Sequence, residues 1–585
     1  MFKNISFITS FLFLILLSFS SVYSQGKEED AKFDTLVTKF FDESFKANPV
    51  WATFIGEHRY DGGLNDFSPF AIQEKKDMLG SFLNEFKSID TTKLSSAKRI
   101  DHKIILDQID YQLFDLEVLK DWEKSPLEYN YIIGGSIHSL ITRDFAPWEQ
   151  RLRNVLSRLK QIPRLLQQAK KNLKNPAPIQ TETAIKQNKG VISLIRDDLT
   201  KVLDNSPSLK DSILEESKKV ISALEDYQNF LEKELLPNSK GEWRLGEELY
   251  KKKLRFALES DLPYEEVLQR AEREYISVRK QMYQTALPLH QNFFPEHKHT
   301  ETGEKLEGII IREVLDEIAK DHPKKDELLD VCRNILKDLE RFVKEKNIID
   351  ISKINPLEVQ WEPEFSRGVA VGGLDSPGPL DKEQKSFCRV SPLPLDWPEN
   401  QIESFLREYN NWMLVDLSIH EAIPGHYVQG YYSNLYPSLV RSVFGSGPFV
   451  EGWAVFSEKI MVDEGYSDFD PRLKLTQLKM YLRAIINAIL DAKLQTGKMT
   501  EEEAMKLMTE GGFQEEAEAK GKLIRAKLTS TQLPTYFVGF QQINDLYEDY
   551  KKLKGDKFSL KEFNEKLLSY GSPPVKYLRE ILLKE

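Results

Sequence analysis

The chain has 585 residues, of which 41% are hydrophobic and 30% are charged. This composition is ordinary for a globular protein, and it excludes disordered, collagen-like and polytopic membrane chains. The formal net charge is −11, so the large positive field of a nucleic-acid-binding protein is absent. The length predicts two or more subdomains or one large helical body. Only two cysteines, Cys332 and Cys388, are present, which excludes a disulfide framework and a thiolate zinc cluster.

Residues 1–24 are predicted to be a signal peptide. Lys3 is their only charged residue, an apolar run follows from about Ile5 to Leu17, and a Ser-rich stretch ends at Ser24. A short basic start, an apolar core and small residues before a polar boundary are typical of an export signal. We therefore expect an exported protein, periplasmic or secreted, with membrane attachment only if the leader stays uncleaved. No cysteine lies near the boundary, which argues against a lipid-anchored form.

Residues 30–360 are predicted to form an N-terminal helical part. Apolar side chains recur with a period close to 3.6 residues in several stretches, which indicates amphipathic helices. These stretches are 32–47, 151–173, 212–235, 264–283, 311–318 and 326–346. Their charged outer faces are most simply solvated surface. The sequence shows no clear repeat at a fixed period, which disfavours a regular solenoid.

A Pro- and Gly-rich segment at 361–400 interrupts the helical pattern, and it is predicted to form loops with a small sheet or hairpin. Two short β-like runs lie within it, at 368–372 and 387–390. The segment is either a plain linker to a C-terminal helical part at 401–585 or an edge strand that lines a substrate site. The expected fold class is mainly α, a large helical protein with a cleft and a small sheet near 362–400.

The C-terminal part contains the only His-Glu pair in the chain. Glu421 follows His420, and His426 comes six residues after His420. A helix with a histidine, a glutamate and a second histidine is the basis of zinc peptidase sites. Two neutral imidazoles bind Zn²⁺, and the glutamate takes a proton from a water molecule that the ion activates.

The spacing of the two histidines departs from the usual HExxH pattern. At about 100° per residue, position i+6 lies roughly 120° from position i, so a regular helix cannot aim His420 and His426 at one ion. Pro424 and Gly425 lie between them, and such a pair permits a kink or a widened turn. Two interpretations stay open: a distortion that brings both imidazoles to a metal, or a helix that ends at a Pro-Gly turn with two histidines paired to other polar groups.

A zinc site with two histidines needs a third protein ligand. A Gly/Pro loop is followed by a predicted helix that carries Glu451 and Glu458 at positions i and i+7, nearly on one face. Glu451 comes 25 residues after His426, a separation that suits a helix–loop–helix return to the same ion. The alternative is that Glu451 is simply a first-turn acid favoured by the helix dipole.

The segments HEAIPGHYVQ and GPFVEGWAVFSE resemble the signature of the bacterial "domain of unknown function 885" family, which is grouped with metallopeptidases of the gluzincin type. The likeness spans most of the mature chain, from NPVWATFIGEHRYDGGLNDFS to YFVG at 536–539. Ligands in that group are two histidines of a His-Glu helix and a glutamate of a following helix. The resemblance therefore implies one Zn²⁺ ion held by His420, His426 and Glu451.

Three positions depart from the family pattern. A basic residue is common where this chain has Asn487, and a histidine is common at the positions of Gln495 and Tyr427, whereas Arg483 and Asp491 are retained. The replaced groups are of the kind that binds a substrate carboxylate or orients a catalytic group. The departures at Asn487 and Gln495 therefore bear on specificity, and Tyr427 leaves His426 as the second histidine ligand.

The preferred interpretation is an exported zinc metallopeptidase whose substrates are short peptides. Glu421 is expected to act as the general base and to pass the proton to the leaving amine. Tyr536 is the expected oxyanion donor, and Arg483 is the expected anchor for a substrate carboxylate. Asp416, one turn before the first histidine, and Glu458 are expected to accept a hydrogen bond from a ligand imidazole.

Several alternatives stay open. In one alternative, Tyr536 is a core tyrosine packed on a helix. In another, Arg483 belongs to a structural ion pair. The alternative to a peptidase is a non-catalytic peptide-binding or scaffold protein that retains the fold. The metal content of the purified protein distinguishes the enzyme from the non-catalytic protein. A third possibility is the same metal chemistry applied to a non-peptide amide or ester.

Overall fold

The computed structural model describes residues 28–362, 372–393 and 397–584. The predicted leader at 1–24 lies outside these residues, as does all but the last residue of the β-like run at 368–372. The described residues are mainly helical and contain one small sheet, which confirms the mainly α fold class. Within the same ranges, no helix is both long enough and apolar enough to cross a membrane.

The N-terminal helices bury their apolar faces in two hydrophobic clusters, one built mainly on α6, α7, α8 and α10 and the other on α1, α3 and α4. The predicted helix at 151–173 is α7, and it continues through its internal proline. The helices are α1 (28–47), α2 (Pro49–Phe54), α3 (Pro69–Lys87), α4 (Ser96–Phe114), α5 (Asp121–Lys124), α6 (Pro126–Thr142), α7 (Trp148–Asn172), α8 (Pro178–Ser193), α9 (Leu199–Val202), α10 (Pro207–Phe230) and α11 (Leu236–Asn238).

The later helices share one large hydrophobic core that runs from Tyr250 to Leu582, except the helix at 439–443, whose Val440 lies in the cluster of α1, α3 and α4. They are α12 (Glu247–Leu258), α13 (Tyr264–Phe293), α14 (Gly303–Ile318), α15 (Leu328–Glu345), α16 (Glu399–Glu408), α17 (Asn411–Glu421), α18 (His426–Leu435), α19 (Leu439–Val443), α20 (Gly447–Asp463), α21 (Pro471–Gln495), α22 (Glu501–Lys506), α23 (Glu516–Thr529), α24 (Pro534–Lys554), α25 (Leu560–Leu568) and α26 (Val575–Leu582). Helices α12 to α15, from the predicted N-terminal part at 30–360, thus pack in the same core as the helices of 401–585.

The predicted small sheet has three strands in the order β1-β3-β2, with β1 at Glu358–Trp361, β2 at Gly372–Asp375 and β3 at Phe387–Val390. Strand β1 is parallel to β3, whereas β2 is antiparallel to it. The predicted run at 387–390 is therefore the central strand rather than an edge strand. The buried side chains of Val359 and Val390 join the large core, so the sheet is attached to the C-terminal helices.

Helices α20 and α24 meet backbone to backbone at two glycines. A Cβ atom on Gly452 would lie 2.3 Å from the carbonyl carbon of Gly539, and a Cβ atom on Gly539 would lie 1.8 Å from the carbonyl oxygen of Pro448. Glycine is thus needed at both positions for this close approach. The contact packs α20, which carries Glu451, closely against α24, which carries Tyr536.

Candidate metal centre

The helix break predicted between Glu421 and His426 is present. Helix α17 ends at Glu421 and α18 begins at His426. Between them, Ala422 (φ −122°, ψ −82°) and Gly425 (φ −67°, ψ −134°) are non-helical, and the peptide bond before Pro424 is cis. The chain therefore ends one helix at the Pro-Gly turn and starts another with a new direction.

Gly425 allows the turn to fold back against the end of α17. Its N–H donates a hydrogen bond to the carbonyl oxygen of Ile419 at 3.0 Å. A Cβ atom at this position would lie 1.9 Å from the carbonyl oxygen of His420 and 2.3 Å from that of Ile419. Because both neighbours are backbone atoms, only glycine fits here. The turn places His426 directly after this contact.

Trp453 connects the turn to the following motif. Its side chain is fully buried, and its indole N–H donates to the carbonyl oxygen of Pro424 at 2.9 Å and lies 3.3 Å from that of Gly425. The bond satisfies a buried carbonyl that the interrupted helix leaves without a helical partner. The EGW and PGH motifs therefore form one structural unit, a link that the sequence reasoning did not find.

Trp453→Phe is expected to weaken metal binding about 10-fold, as loss of an outer support of a metal site usually does. The phenyl ring retains most of the packing but leaves the Pro424 carbonyl unpaired, which costs about 1–3 kcal/mol of unfolding free energy. Urea denaturation and zinc titration of the variant measure both effects. Trp412→Phe is the matched control, because its indole N–H donates to Asp321 near the surface; equal effects from the two changes would contradict this role.

The break brings the two histidines together. Their ring centroids are 4.8 Å apart. The Nε2 atoms of His420 and His426 lie 3.7 and 3.6 Å from Oε2 of Glu451, and one ligand atom of each residue lies within 4.8 Å of the others. The structure thus combines both sequence interpretations, since the helix ends at the turn and the imidazoles still converge.

The three side chains fit a zinc ion. Tetrahedral zinc with bonds of about 2.0–2.2 Å separates its ligand atoms by roughly 3.3–3.6 Å, close to the separations from Glu451 to both histidines. Oε2 of Glu451 is buried and has no hydrogen-bond partner among the described residues, although it faces two imidazole nitrogens. Two imidazoles and a carboxylate are also the donor set that zinc prefers.

Charges around the centre favour a cation. Burial would raise the pKa of Glu451, but the neighbouring imidazoles of His420 and His426 hold it below its ordinary range, so the carboxylate is ionised. Burial would lower the pKa of His420, but the nearby carboxylate of Glu451 and the bond to Glu458 raise that pKa well above the ordinary value. The cluster of acids therefore stabilises positive charge at this point.

Glu458 orients the first histidine. Its Oε1 atom lies 2.6 Å from Nδ1 of His420, an arrangement that directs Nε2 toward Glu451. Asp416 makes no such bond: both of its carboxyl oxygens are buried and lack hydrogen-bond partners among the described residues. Burial and the neighbouring Glu458 raise the pKa of Asp416 well above its ordinary value. Of the two residues expected to accept from a ligand imidazole, Glu458 occupies that position and Asp416 does not.

Glu421 lies beside the ligands and next to the sheet. Its carboxylate is not one of the converging ligand atoms. Burial, Cys332 and the charge of Glu421 raise the pKa of Cys388 on β3 to about 12, which puts Glu421 within electrostatic reach of the central strand. The predicted base is the last residue of α17, directly after the first predicted ligand.

The structure engages Tyr536 and Arg483 in contacts within the protein. The hydroxyl of Tyr536 accepts a hydrogen bond from Arg525 at 3.3 Å. Arg483 pairs with Glu518 and lies 3.8 Å from Oε1 of Glu408, which is the ion-pair alternative raised by the sequence. Their roles as oxyanion donor and carboxylate anchor stay predictions.

The three residues that depart from the family pattern either bond to other parts of the chain or are buried in a helix. Tyr427 donates to the carbonyl oxygen of Asn355 at 2.7 Å, because the break turns position i+7 away from the metal ligands. Gln495 accepts from the N–H of Leu245 and donates to a carbonyl of α23, so it links three segments. Asn487 is buried within α21.

A cleft of about 620 Å³ lies between α2, α6 and the sheet. Its lining includes His58 and Arg143 from the helical side and Asp375 and Arg389 from the sheet. Arg389 and Arg143 both pair with Asp375, and the pair of Arg143 with Asp375 joins the two walls. None of His420, His426 and Glu451 lines this cleft, so the predicted cleft between two helical parts at the metal site stays a prediction.

The family model described as "Bacterial protein of unknown function (DUF885)" matches residues 49–582, so the chain belongs to this family. Two solved structures, each described as a "putative lipoprotein", have similar folds. The one from Shewanella oneidensis, of unknown function, is 35% identical and has a TM-score of 0.81, over 94% of this chain and 99% of that one. The one from Colwellia psychrerythraea is 18% identical and has a TM-score of 0.78, over 95% and 98%. No functionally curated protein matches the chain.

Proposed function

We propose that this DUF885 protein is an exported zinc-dependent peptidase that hydrolyses short peptides, related to the gluzincin metallopeptidases. The observation that carries the proposal is the convergence of His420, His426 and Glu451 around a carboxylate oxygen that has no other partner. Glu421, beside the first ligand, supplies a base outside the ligand set. This combination of two imidazoles, a returning glutamate and an adjacent glutamate is the constellation of metal-assisted hydrolysis.

Each residue would have a separate task in the reaction. When bound, a zinc ion would activate a water molecule and polarise the scissile carbonyl. Glu421 would accept the proton of the attacking water and deliver it to the leaving amine. Tyr536 would donate a hydrogen bond to the developing oxyanion, and Arg483 would anchor a substrate carboxylate. Glu458 would keep the imidazole of His420 in a fixed orientation through the bond to Nδ1.

The leader pattern at 1–24 and the relatives support export. Both similar structures are described as lipoproteins. In this chain the two cysteines are at positions 332 and 388, far from the predicted leader boundary. We therefore propose export through a cleaved leader, to the periplasm or the medium.

Replacing His420 by Ala or Glu451 by Gln is expected to lower zinc content by one ion per chain and to remove hydrolysis. Each change deletes one of three ligands, so zinc affinity should fall by more than about 100-fold. Equilibrium dialysis against Zn²⁺ and mass spectrometry of a short-peptide mixture measure the two losses. Glu502→Gln on the exposed face of α22 is the control. Wild-type zinc content in both ligand variants, with no peptide cleaved by any form, would favour the non-catalytic peptide-binding class.

A further inference from the structure

A second group of metal-ligating side chains lies at the turn between α13 and α14. Nine histidines occur in the chain, and three of them, His290, His297 and His299, fall within ten residues. His290 is in the last turn of α13, and the other two are in the connecting loop. Glu313 projects toward them from α14, which packs against α13. None of these residues belongs to the centre described above.

The four side chains meet at one point. Oε2 of Glu313 lies 2.7 Å from Nε2 of His290, 3.5 Å from Nδ1 of His297 and 3.4 Å from Nε2 of His299. The Nε2 atoms of His290 and His299 are 3.3 Å apart. One ligand atom from each of the four residues lies within 4.8 Å of all the others. Three of these separations match the roughly 3.3–3.6 Å between ligand atoms of a tetrahedral ion.

Hydrogen bonding alone leaves this arrangement poorly satisfied. Three imidazole nitrogens approach a single carboxylate oxygen, which offers two lone pairs. Two of those nitrogens, on His290 and His299, also face each other, and one hydrogen atom between them cannot serve the carboxylate as well. His290 is only 4% exposed, so water cannot readily separate the rings. A cation at the shared point would let all four ligand atoms direct a lone pair at the ion.

We propose that His290, His297, His299 and Glu313 bind a divalent transition-metal ion, with Zn²⁺ as the first candidate. Three imidazoles and a carboxylate suit zinc and its neighbours in the first row rather than Ca²⁺ or Mg²⁺. The contact of 2.7 Å between His290 and Glu313 would widen by less than about 1 Å, and the partly exposed Glu313 carboxylate can rotate to permit this.

Four protein ligands fill a tetrahedral shell, which is the pattern of a structural site. The ion would join the last turn of α13, the connecting loop and α14. Its effect is therefore stability of this helix pair rather than hydrolysis, because binding to the folded form alone raises the unfolding free energy by RT ln(1 + [L]/Kd). This proposal does not depend on the peptidase function.

Zinc titration of the full mature chain tests the site. The wild-type protein is expected to bind two Zn²⁺ ions per chain by equilibrium dialysis, and the double variant His297→Ala/His299→Ala is expected to bind one. The zinc-dependent rise in Tm of the double variant should also be smaller than that of the wild type, because only the first centre still binds zinc, while peptide hydrolysis is kept. His322→Ala, a histidine paired with Glu403 outside the cluster, is the matched control and should bind two.

Further variants separate this site from the first one. Glu313→Gln keeps the side-chain shape and should also reduce the number of bound zinc ions per chain to one. This variant replaces the double variant if circular dichroism shows that the double variant is misfolded. If the wild-type protein binds only one ion, and that ion survives in His420→Ala but is lost in Glu313→Gln, the result supports this proposal. The same result contradicts the zinc centre of the proposed peptidase. Wild-type zinc stoichiometry in both Glu313→Gln and the double variant would overturn the proposal.

Discussion

Glu421→Gln is expected to abolish peptide hydrolysis while leaving zinc binding unchanged. The glutamine amide is nearly isosteric with the carboxylate but cannot accept the proton of the attacking water, and loss of a general base typically costs about 10²–10⁴-fold in turnover. Zinc binding should persist because Glu421 contributes none of the converging ligand atoms. Turnover of a short peptide and zinc content are measured on the same preparation, so that loss of the base is separated from loss of the ion.

Two comparisons make this result specific. Glu502→Gln removes an exposed carboxylate on α22 and should keep wild-type turnover. His420→Ala should lose one zinc ion per chain together with turnover, because it removes a ligand and leaves the base in place. Turnover near the wild-type value in Glu421→Gln would assign the proton transfer to another group. Loss of zinc from that variant would instead make Glu421 part of the metal site.

The candidate site was found from residue types, and its geometry was found only from the structure. The pair His420-Glu421, the nearby His426 and the later Glu451 are visible as a chemical set, because few residue types bind zinc and these recur close together. Regular-helix arithmetic put His426 about 120° out of phase. That arithmetic does not apply, because α17 ends at Glu421 and α18 starts at His426.

Long-range partners account for most of what the sequence did not reveal. The indole of Trp453 bonds to Pro424, 29 residues earlier, and Arg483 pairs with Glu518, 35 residues later. Periodicity reports which face of a helix is apolar, but it does not report which polar group on another helix that face will meet. The same reason explains Tyr427, whose partner lies 72 residues earlier in the chain.

The histidine cluster between α13 and α14 had a local signal that was not used. Three of the nine histidines fall within ten residues at 290–299, an uneven distribution that indicates metal binding. The fourth ligand, Glu313, comes 14 residues after His299 and on the next helix. Helices α13 and α14 pack against each other on either side of the loop at 294–302. The loop histidines could therefore have been matched with an acid on α14.

Helix positions were largely predictable, whereas the partition of the chain was not. The periodic stretches 264–283 and 326–346 correspond to α13 (Tyr264–Phe293) and α15 (Leu328–Glu345), because an apolar stripe on a long helix is a local property. Which helices share a core depends on packing between distant segments. The Pro- and Gly-rich composition of 361–400 suggested a division, yet β1 and β3 join the core that α12 to α15 share with helices of 401–585.

Gly425→Ala is expected to remove hydrolysis together with zinc binding at the centre of His420, His426 and Glu451. The added Cβ atom would lie 1.9 Å from the carbonyl oxygen of His420 and 2.3 Å from that of Ile419. These are backbone atoms at the end of α17, so the clash cannot be relieved by a side-chain rotation. The turn must open, which lengthens the Gly425 hydrogen bond to Ile419 and moves His426 away from Glu451. We expect a loss of about 3 kcal/mol in unfolding free energy, as for other overpacked sites.

Gly430→Ala is the matched control, because it makes the same substitution five residues later within α18. No heavy atom lies within 4 Å of the Cβ atom added there, so alanine should stabilise the helix by about 0.5–1 kcal/mol and leave zinc affinity unchanged. Urea denaturation and zinc titration of both variants give the comparison. If the zinc affinity of Gly425→Ala stays within about 2-fold of wild type, the position of His426 does not depend on this turn. If the affinity falls by more than about 100-fold, as expected on loss of a ligand, the glycine of the PGH motif is needed for metal binding.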